Sequence, residues 1–354
     1  MKDTLKKNIE KWTNNNNKDI LIGNCVINQN SLLFNANNYL TDSEALKSSV
    51  FSNELSSLKN TVENELSKFV KYEAALIMQS GYAANHDLMQ VIACKFSFVI
   101  FIDSSAHMSL VQGAKTSKSK LVFFKHNDFI DLEEKIKEYG AGIILVESVY
   151  SVEGDLCNLK KVVEISKSTK SILVVDESHS FGVYGKKGEG LVHELGLQKD
   201  VDIITSSLSK AFCFRAGVIF CSNKMKDFIK YKGFNSIFSS GISQEDCLNL
   251  SNKLKEIKTF YQRRSKLKKI SSYFREELNK INIDTVSQSH IVSIKFKKEN
   301  IKFARDSFEK KNIFPSVFLY PAVKKNKPSL RFTLSYDHKK KDIDKVIRIL
   351  KQIK

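Results

Sequence analysis

Proline is scarce in this sequence: there are 3 in 354 residues, and all of them (Pro315, Pro321 and Pro328) lie late in the chain. Cysteine is sparse and scattered, with six residues and no Cys-x-x-Cys pair. That spacing argues against a zinc ribbon or a disulfide framework and suits a reducing cytoplasm. The longest nearly apolar stretch, Phe96 to Ile102, includes Ser97 and covers only seven residues. A membrane-spanning helix needs about 20 apolar residues, so none is expected. The first residues, Met1 to Lys7, run into an Asn tract without the apolar core of a signal peptide. Arginine is rare too: seven residues, against 50 lysines.

What is present is ordinary in amount and unusual in charge. Hydrophobic residues make up 42% and charged residues 27%, enough for real cores in a soluble protein. The length suits two domains, or one large and one small. The net charge of +18 is spread along the chain. A nucleic-acid binder concentrates Arg and Lys on one element among aromatics. A lysine bias on solvated faces is therefore expected, with no nucleic-acid or membrane partner. A positive field of this kind favours anionic, phosphate-bearing substrates.

Residues 1–45 are polar and Asn-rich and read as an N-terminal arm. Over 46–242, helical patterns alternate with the short runs Phe98–Asp103, Leu121–Phe124, Gly142–Ser148, Ser171–Asp176, Asp202–Ser206 and Gly217–Cys221. Near-continuous apolar strands are expected where helices cover both sheet faces, so this span predicts a three-layer, mainly parallel α/β domain. Residues 243–354 begin with a long helical region to about 280. They continue as strand (Ile291–Phe296), helix (Ile301–Lys311), strand (Leu330–Leu334) and helix (Lys341–Ile353). They read as a helical linker and a smaller α+β domain.

Ligands of such sheets bind beyond the carboxyl ends of the strands. One strand ends in Asp176-Glu177-Ser178-His179, where Asp-x-x-His is open to three readings: a metal half-site, a structural pair or a catalytic dyad. The next strand runs into Ser207-Leu208-Ser209-Lys210. A lysine among small hydroxyls at a strand exit suits an imine beside a phosphate. With an aspartate available for a pyridinium nitrogen, this is the recurring arrangement for pyridoxal phosphate. Gln79-Ser80-Gly81-Tyr82 opens a helix, where free backbone N–H groups attract an anion. His107, in Asp103-Ser104-Ser105-Ala106-His107, is either a satisfied buried histidine or a flat ring on the cofactor face.

Together these segments resemble the α-oxoamine synthases, the acyl-CoA-dependent branch of the aspartate-aminotransferase fold. The resemblance is carried by Ser80-Gly81-Tyr82, Ala106-His107, His126-Asn127-Asp128, Glu147-Ser148-Val149-Tyr150-Ser151 with Gly154-Asp155, Asp176 to Gly182, Lys210, and Ile237-Phe238-Ser239-Ser240. Three segments are most similar to the quorum-sensing α-hydroxyketone autoinducer synthases: Ala106 to Leu110, Ser207 to Phe212, and Phe214 to Gly217. The biotin-pathway and glycine-using members usually carry more glycine after the lysine, where this chain has Cys213-Phe214-Arg215.

The resemblance implies a fold type I pyridoxal-phosphate enzyme, a cytoplasmic homodimer without a metal. It joins an acyl-CoA to a small amino acid or S-adenosylmethionine to give an aminoketone. Lys210 would hold the cofactor, Asp176 meet its ring nitrogen, His179 its ring hydroxyl, and His107 its face. These four are the expected catalytic residues. Ser80, Gly81, Tyr82, Glu147 and Ser207 complete the cofactor site, joined by Ser239 and Ser240 from a second copy. Asn38 and Arg331 are the expected substrate-binding residues. The guanidinium fork matches a carboxylate, and Arg331 opens an apolar run where the family's small domain offers such a group. The alternative activity is 8-amino-7-oxononanoate synthesis or that of another α-oxoamine synthase.

Overall fold

The computed structural model describes residues 2–15, 54–94, 98–320 and 322–353. Its strands are β1 (Ala74–Met78), β2 (Ile100–Asp103), β3 (Leu121–Phe124), β4 (Ile143–Glu147), β5 (Ile172–Asp176), β6 (Ile203–Ser207), β7 (Gly217–Cys221), β8 (Ile291–Lys295), β9 (Ser316–Phe318) and β10 (Ser329–Thr333). Two compact units emerge: Met1–Ser148 with Asn158–Thr259, and Val149–Cys157 with Phe260–Lys354. The helix Gln244–Thr259, placed by the sequence with the C-terminal part, groups with the large unit. Asn38 lies outside the described residues.

The large unit holds a seven-stranded sheet in the order β1-β7-β6-β5-β4-β2-β3. Strands β3, β2, β4, β5 and β6 run parallel. β7 runs against both of its neighbours. The reason lies in the connections. Helices Met108–Thr116, Phe129–Tyr139 and Leu159–Thr169 link β2 to β3, β3 to β4 and β4 to β5, which is the crossover that parallel pairing requires. Only a short helix-free loop joins β6 to β7, so the chain turns back beside itself. β1, β2, β4, β5 and β7 are buried at every position, which explains their continuous Val/Ile/Leu character.

The expected N-terminal arm begins as a helix, Lys2–Asn15. Its Leu5 and Ile9 are buried in the same core cluster as Met225, Phe228 and Ile229. Two apolar residues four apart were enough to make one packed face. Lys2 pairs with Asp202 at 2.8 Å and Glu10 with Lys224 at 2.9 Å.

The small unit carries the antiparallel sheet β8-β10-β9 covered by helices Tyr261–Lys280, Ile301–Glu309 and Lys340–Ile353. Phe332 stands edge-on to Phe274 and Phe308, with centroids 5.6 and 5.2 Å apart. The segment Val149–Cys157 belongs here because Gly154 accepts the N–H groups of Gln288 and Ser289, both at 3.0 Å. At φ +74 a Cβ on Gly154 would lie 2.0 Å from the Ile291 carbonyl, so only glycine fits.

The outer strand β1 presents an edge that is covered rather than left open. Glu63, on the helix Glu54–Val70 and 1% exposed, accepts the Ile77 N–H at 2.8 Å and the Lys226 ammonium at 2.6 Å. Replacing Glu63 by Ala strands a backbone donor and a cation together. Removing one partner of a buried pair costs about 3–5 kcal/mol. Glu63→Ala is therefore expected to lose that much in denaturant unfolding, while breaking the exposed pair Lys224–Glu10 is expected to change stability far less.

Candidate active site

The strand ends of the large unit border an open cavity of about 80 Å³. Its wall includes Gly81 and Tyr82 after β1, His107 after β2, Glu147 at the end of β4 and Asp176 at the end of β5. His179, Ser207 at the end of β6, and Lys210 complete the expected set. Three further residues line it that the sequence reading did not single out: Asn85, Ser109 and Ser178. Ser80 is not among the wall residues. Its hydroxyl caps the helix Gly81–Cys94 by accepting the Ala83 N–H at 3.1 Å. Ser239 and Ser240 stand exposed beyond the helix Phe234–Phe238, and neither lines the cavity.

Two glycines bring the anion-binding turn against the lysine strand. A Cβ on Gly81 would lie 2.6 Å from Ser207 Cβ and 2.9 Å from its Cα. Gly217 of β7 is paired with both Met78 and Ser207, and a Cβ there would meet the Ser80 carbonyl at 2.2 Å. Only bare backbone lets the helix start, with its unbonded first-turn amides, sit beside Ser207. Tyr82, about half exposed, stacks on His86 with centroids 6.4 Å apart.

Lys210 is exposed on the β6–β7 loop, whose ends are closed by Leu208 N–H to Ala216 and Phe214 N–H to Leu208. Buried Leu208 and Phe212 flank it, Phe212 stacking on Phe181 at 4.8 Å. Cys213, three residues on, adopts φ 48. A left-handed conformation favours glycine, and here a cysteine adopts it.

Asp176 is 4% exposed and satisfied on both oxygens. Oδ1 accepts the Ser178 N–H and Oδ2 the Asn85 amide, each at 2.8 Å. Ser178 Oγ in turn accepts the Ser207 N–H at 2.8 Å, tying β5 to β6. Glu147 lies beside Asp176 in the β4–β5 register. Burial and the Asp176 charge hold its carboxyl well above the usual range, and it accepts the His107 backbone N–H. Burial lowers the His107 imidazole; the Asp176 charge opposes this and that of Lys210 adds to it.

Asp103, fully buried, pins the turn His126-Asn127-Asp128 by bonds from His126 Nδ1 at 2.8 Å and the Asn127 N–H at 3.0 Å. This motif therefore orders the turn after β3 and does not line the cavity. No group of three His, Cys, Asp or Glu residues among those described is placed to hold a metal ion. No helix among them is long and apolar enough to cross a membrane.

In the small unit Arg331 sits on β10, the central strand, and not on an edge. Its Nη1 donates to the Ser151 carbonyl at 2.6 Å and its guanidinium lies 4.7 Å from the Phe318 ring centre. Nε is buried without a partner. Burial lowers the Arg331 pKa. Packing around His290 and the Arg331 charge push the His290 imidazole down to about 4. The guanidinium thus has a neutral histidine near it and no carboxylate partner among the described residues.

The cavity residues fit pyridoxal phosphate. A helix start and hydroxyls at the glycine cradle suit a phosphate, and Lys210 suits a carbonyl. Asp176 suits a ring nitrogen, while His107 and His179 suit ring contacts.

Comparisons with known proteins agree. The profile of the family described as aminotransferase class I and II matches residues 29–350. The CAI-1 autoinducer synthase of Vibrio campbellii is 36% identical over 310 residues, covering 87% of this chain and 78% of that protein. An 8-amino-7-oxononanoate synthase of Thermosipho melanesiensis is 34% identical over 294 residues, covering 81% and 75%. The crystal structure of 8-amino-7-oxononanoate synthase from Francisella tularensis superposes with TM-score 0.76 at 26% identity, covering 84% of this chain and 87% of that one. A Sphingomonas wittichii serine palmitoyltransferase shares the fold, with TM-score 0.81 at 20% identity over 87% and 79% of the chains.

Next to Asp176, burial pushes Glu177 up to about 7, although Val192 N–H and Ser180 Oγ both donate to its Oε1. Its folded pKa exceeds the unfolded one, so the folded chain binds a proton that the unfolded chain has already lost. Stability therefore falls as pH rises from about 4.5 to about 7, by on the order of 3 kcal/mol. Glu177→Gln does not titrate and keeps an acceptor there. It is expected to raise the melting temperature relative to the parent at pH 8 and to do so far less at pH 5. An equal effect at both values contradicts this account.

Proposed function

The chain belongs to the class I and II aminotransferase family, in its α-oxoamine synthase branch, and from that premise we propose that it makes aminoketone precursors of a diffusible signal. The coarser activity is that of a pyridoxal-phosphate-dependent acyltransferase, which condenses an acyl-CoA with an amino acid. We propose medium-chain acyl-CoAs as donors, with S-adenosylmethionine or a small amino acid such as 2-aminobutyrate as acceptor.

When bound, the cofactor supplies an electron sink for negative charge on the amino acid's α-carbon. The chain's own groups do the rest. Lys210 holds the cofactor until an amino acid takes its place. The freed Nζ then removes the α-proton as general base. The α-carbon attacks the thioester carbonyl, CoA leaves as the thiolate and takes its proton from water, and the β-keto acid loses carbon dioxide. The proton held by Lys210 returns to the product carbon. Asp176, kept in place by Ser178 and Asn85, would pair with the ring nitrogen, and His179 and His107 would meet the ring. The first turn after Ser80 and the Ser207 hydroxyl would hold the phosphate. Ser239 and Ser240 are exposed, and we assign them to the phosphate of a second copy in a homodimer.

The observation that carries the signalling assignment is the Lys210 loop. Cys213-Phe214-Arg215, with Cys213 left-handed, stands where the resembling biotin-pathway members usually carry glycines. Against it, the 34% identical relative favours the second reading, 8-amino-7-oxononanoate synthesis from alanine and a pimeloyl thioester.

Mass spectrometry of products from the purified enzyme, offered a panel of amino acids and acyl-CoAs, separates the two. A medium-chain aminoketone is expected. Product from alanine and the pimeloyl thioester alone overturns the signalling assignment.

We also propose Arg331 as the group that binds the substrate carboxylate, since its guanidinium is half-buried with Nε uncommitted. Losing hydrogen bonds to a charged group costs roughly 1.5–3 kcal/mol, or about 10–150-fold in affinity. Arg331→Ala is expected to retain bound cofactor and weaken amino-acid binding by that factor, read from the cofactor's absorbance during titration. Unchanged affinity removes Arg331 from the site.

A further inference from the structure

Four side chains of the cofactor cavity form one directed hydrogen-bond chain. Asn85 Nδ2 donates to Asp176 Oδ2 and to Ser109 Oγ, both at 2.8 Å. Ser109 Oγ lies 2.8 Å from His107 Nδ1, and the Ser109 backbone N–H reaches the same nitrogen at 3.2 Å. Asn85, Ser109 and Asp176 are 2%, 2% and 4% exposed, so water does not compete for the two Asn85 bonds; His107, at the other end of this hydrogen-bond chain, is exposed.

The direction of each bond follows from chemistry. His107 is the N-cap of the helix Met108–Thr116, and its side chain accepts from the Ser109 N–H. A backbone N–H only donates, so Nδ1 carries a lone pair there and no proton. The Ser109 hydroxyl must then also donate to Nδ1, which leaves its oxygen to accept from Asn85. The Asn85 amide has no other orientation, because turning it would set Oδ1 against the Asp176 carboxylate. Both amide hydrogens are thus committed, and Oδ1 is left buried without a partner.

We propose that Asn85 is a positioning residue that, through Ser109, holds His107 as the neutral tautomer with its proton on Nε2. The cavity then receives an Nε2–H donor from His107, and no imidazolium competes there with the cationic Lys210. A proton on Nδ1 would oppose the Ser109 N–H and force the hydroxyl to turn away from its present donor role. The other groups around His107 are Asp176, whose charge favours imidazolium, and Lys210, whose charge opposes it. Glu147 takes the His107 backbone N–H, and His179 also lines the cavity. Burial works in the same direction as the chain. The inference rests on the reading of this cavity as the cofactor site only for its functional meaning, not for its test.

The test is long-range proton–nitrogen NMR on holoenzyme labelled with ¹⁵N-histidine, with His107 signals assigned by their loss in His107→Gln. The parent is expected to show an unprotonated Nδ1 and a protonated Nε2 from pH 6 to 9. Asn85→Ala releases Ser109 and is expected to raise the His107 pKa by about one unit, the worth of one hydrogen bond. It should also bring Nδ1 protonation into that range. Asn85→Ser, smaller but polar, is the second variant; it cannot bridge both partners, so it should shift the same signals if the alanine form does not fold. A merely structural role for Asn85 leaves the His107 signals and their pH course unchanged in both variants. That result, or a protonated Nδ1 in the parent, overturns the proposal. The same spectra from protein without pyridoxal phosphate separate a failure of this inference from a failure of the cofactor reading.

Discussion

Everything in the catalytic cavity depends on holding a carboxylate out of water at the end of β5. Burying such a group is costly unless donors surround it, and Asp176 receives the Ser178 N–H on one oxygen and the Asn85 amide on the other. Those two donors come from different parts of the chain. Ser178 belongs to the strand's own exit; Asn85 reaches in from the second turn of the helix that follows β1. That helix can come so close only because Gly81 and Gly217 present no side chain towards Ser207 and Ser80. Satisfying one buried acceptor therefore draws the helix start after Ser80, the lysine strand and Asp176 into one place.

The sheet's topology turns this local demand into an arrangement suited to chemistry. Parallel strands gather their exits on one edge, so Glu147 and Asp176 lie side by side and Ser207 follows. The single reversal at β7 is what frees the lysine. A helical crossover at that point would have carried the chain away over the sheet face. The helix-free return instead leaves Lys210 on a closed loop between buried anchors, Leu208 and Phe212. The neighbouring pair of acids shows the cost: Glu147 holds its proton more tightly than an ordinary carboxylic acid, which keeps a second negative charge from building up beside Asp176.

Much of this was legible beforehand, and the parts that were not share a cause. Strands whose two faces are both buried announce themselves as apolar runs, and their exits point to Lys210, Asp176 and His107; Glu147 came only from the family resemblance. β1, Ala74–Met78, escaped because its alanines and methionine read equally well as helix, and β9 because three residues, one exposed and two half-buried, carry no period. Asn85, Ser109 and Ser178 could not be singled out, since a hydrogen-bond partner is defined by tertiary proximity and not by type. One signal was available: Asn85 lies four residues after Gly81, on the same face of the helix that opens at the phosphate turn. The membership of Val149–Cys157 in the small unit depends on Gly154 meeting Ile291, a contact no local pattern encodes.

The strand order also governs how the chain can be made. Among the described strands, β1 is the first of its sheet to be synthesised, yet it pairs there with β7, the last to emerge. The helix Lys2–Asn15 is older still, and its Leu5 and Ile9 share a core with residues of Asn223–Lys232. Pairings of such long sequence separation form late and leave unpaired edges exposed meanwhile. A ribosome translating this message therefore carries β1 and the first helix unpartnered until β7 and the helix after it have left the exit tunnel. During that interval the nascent chain is a natural client for chaperones, and a stall before β7 releases a fragment with no means of closing its own sheet.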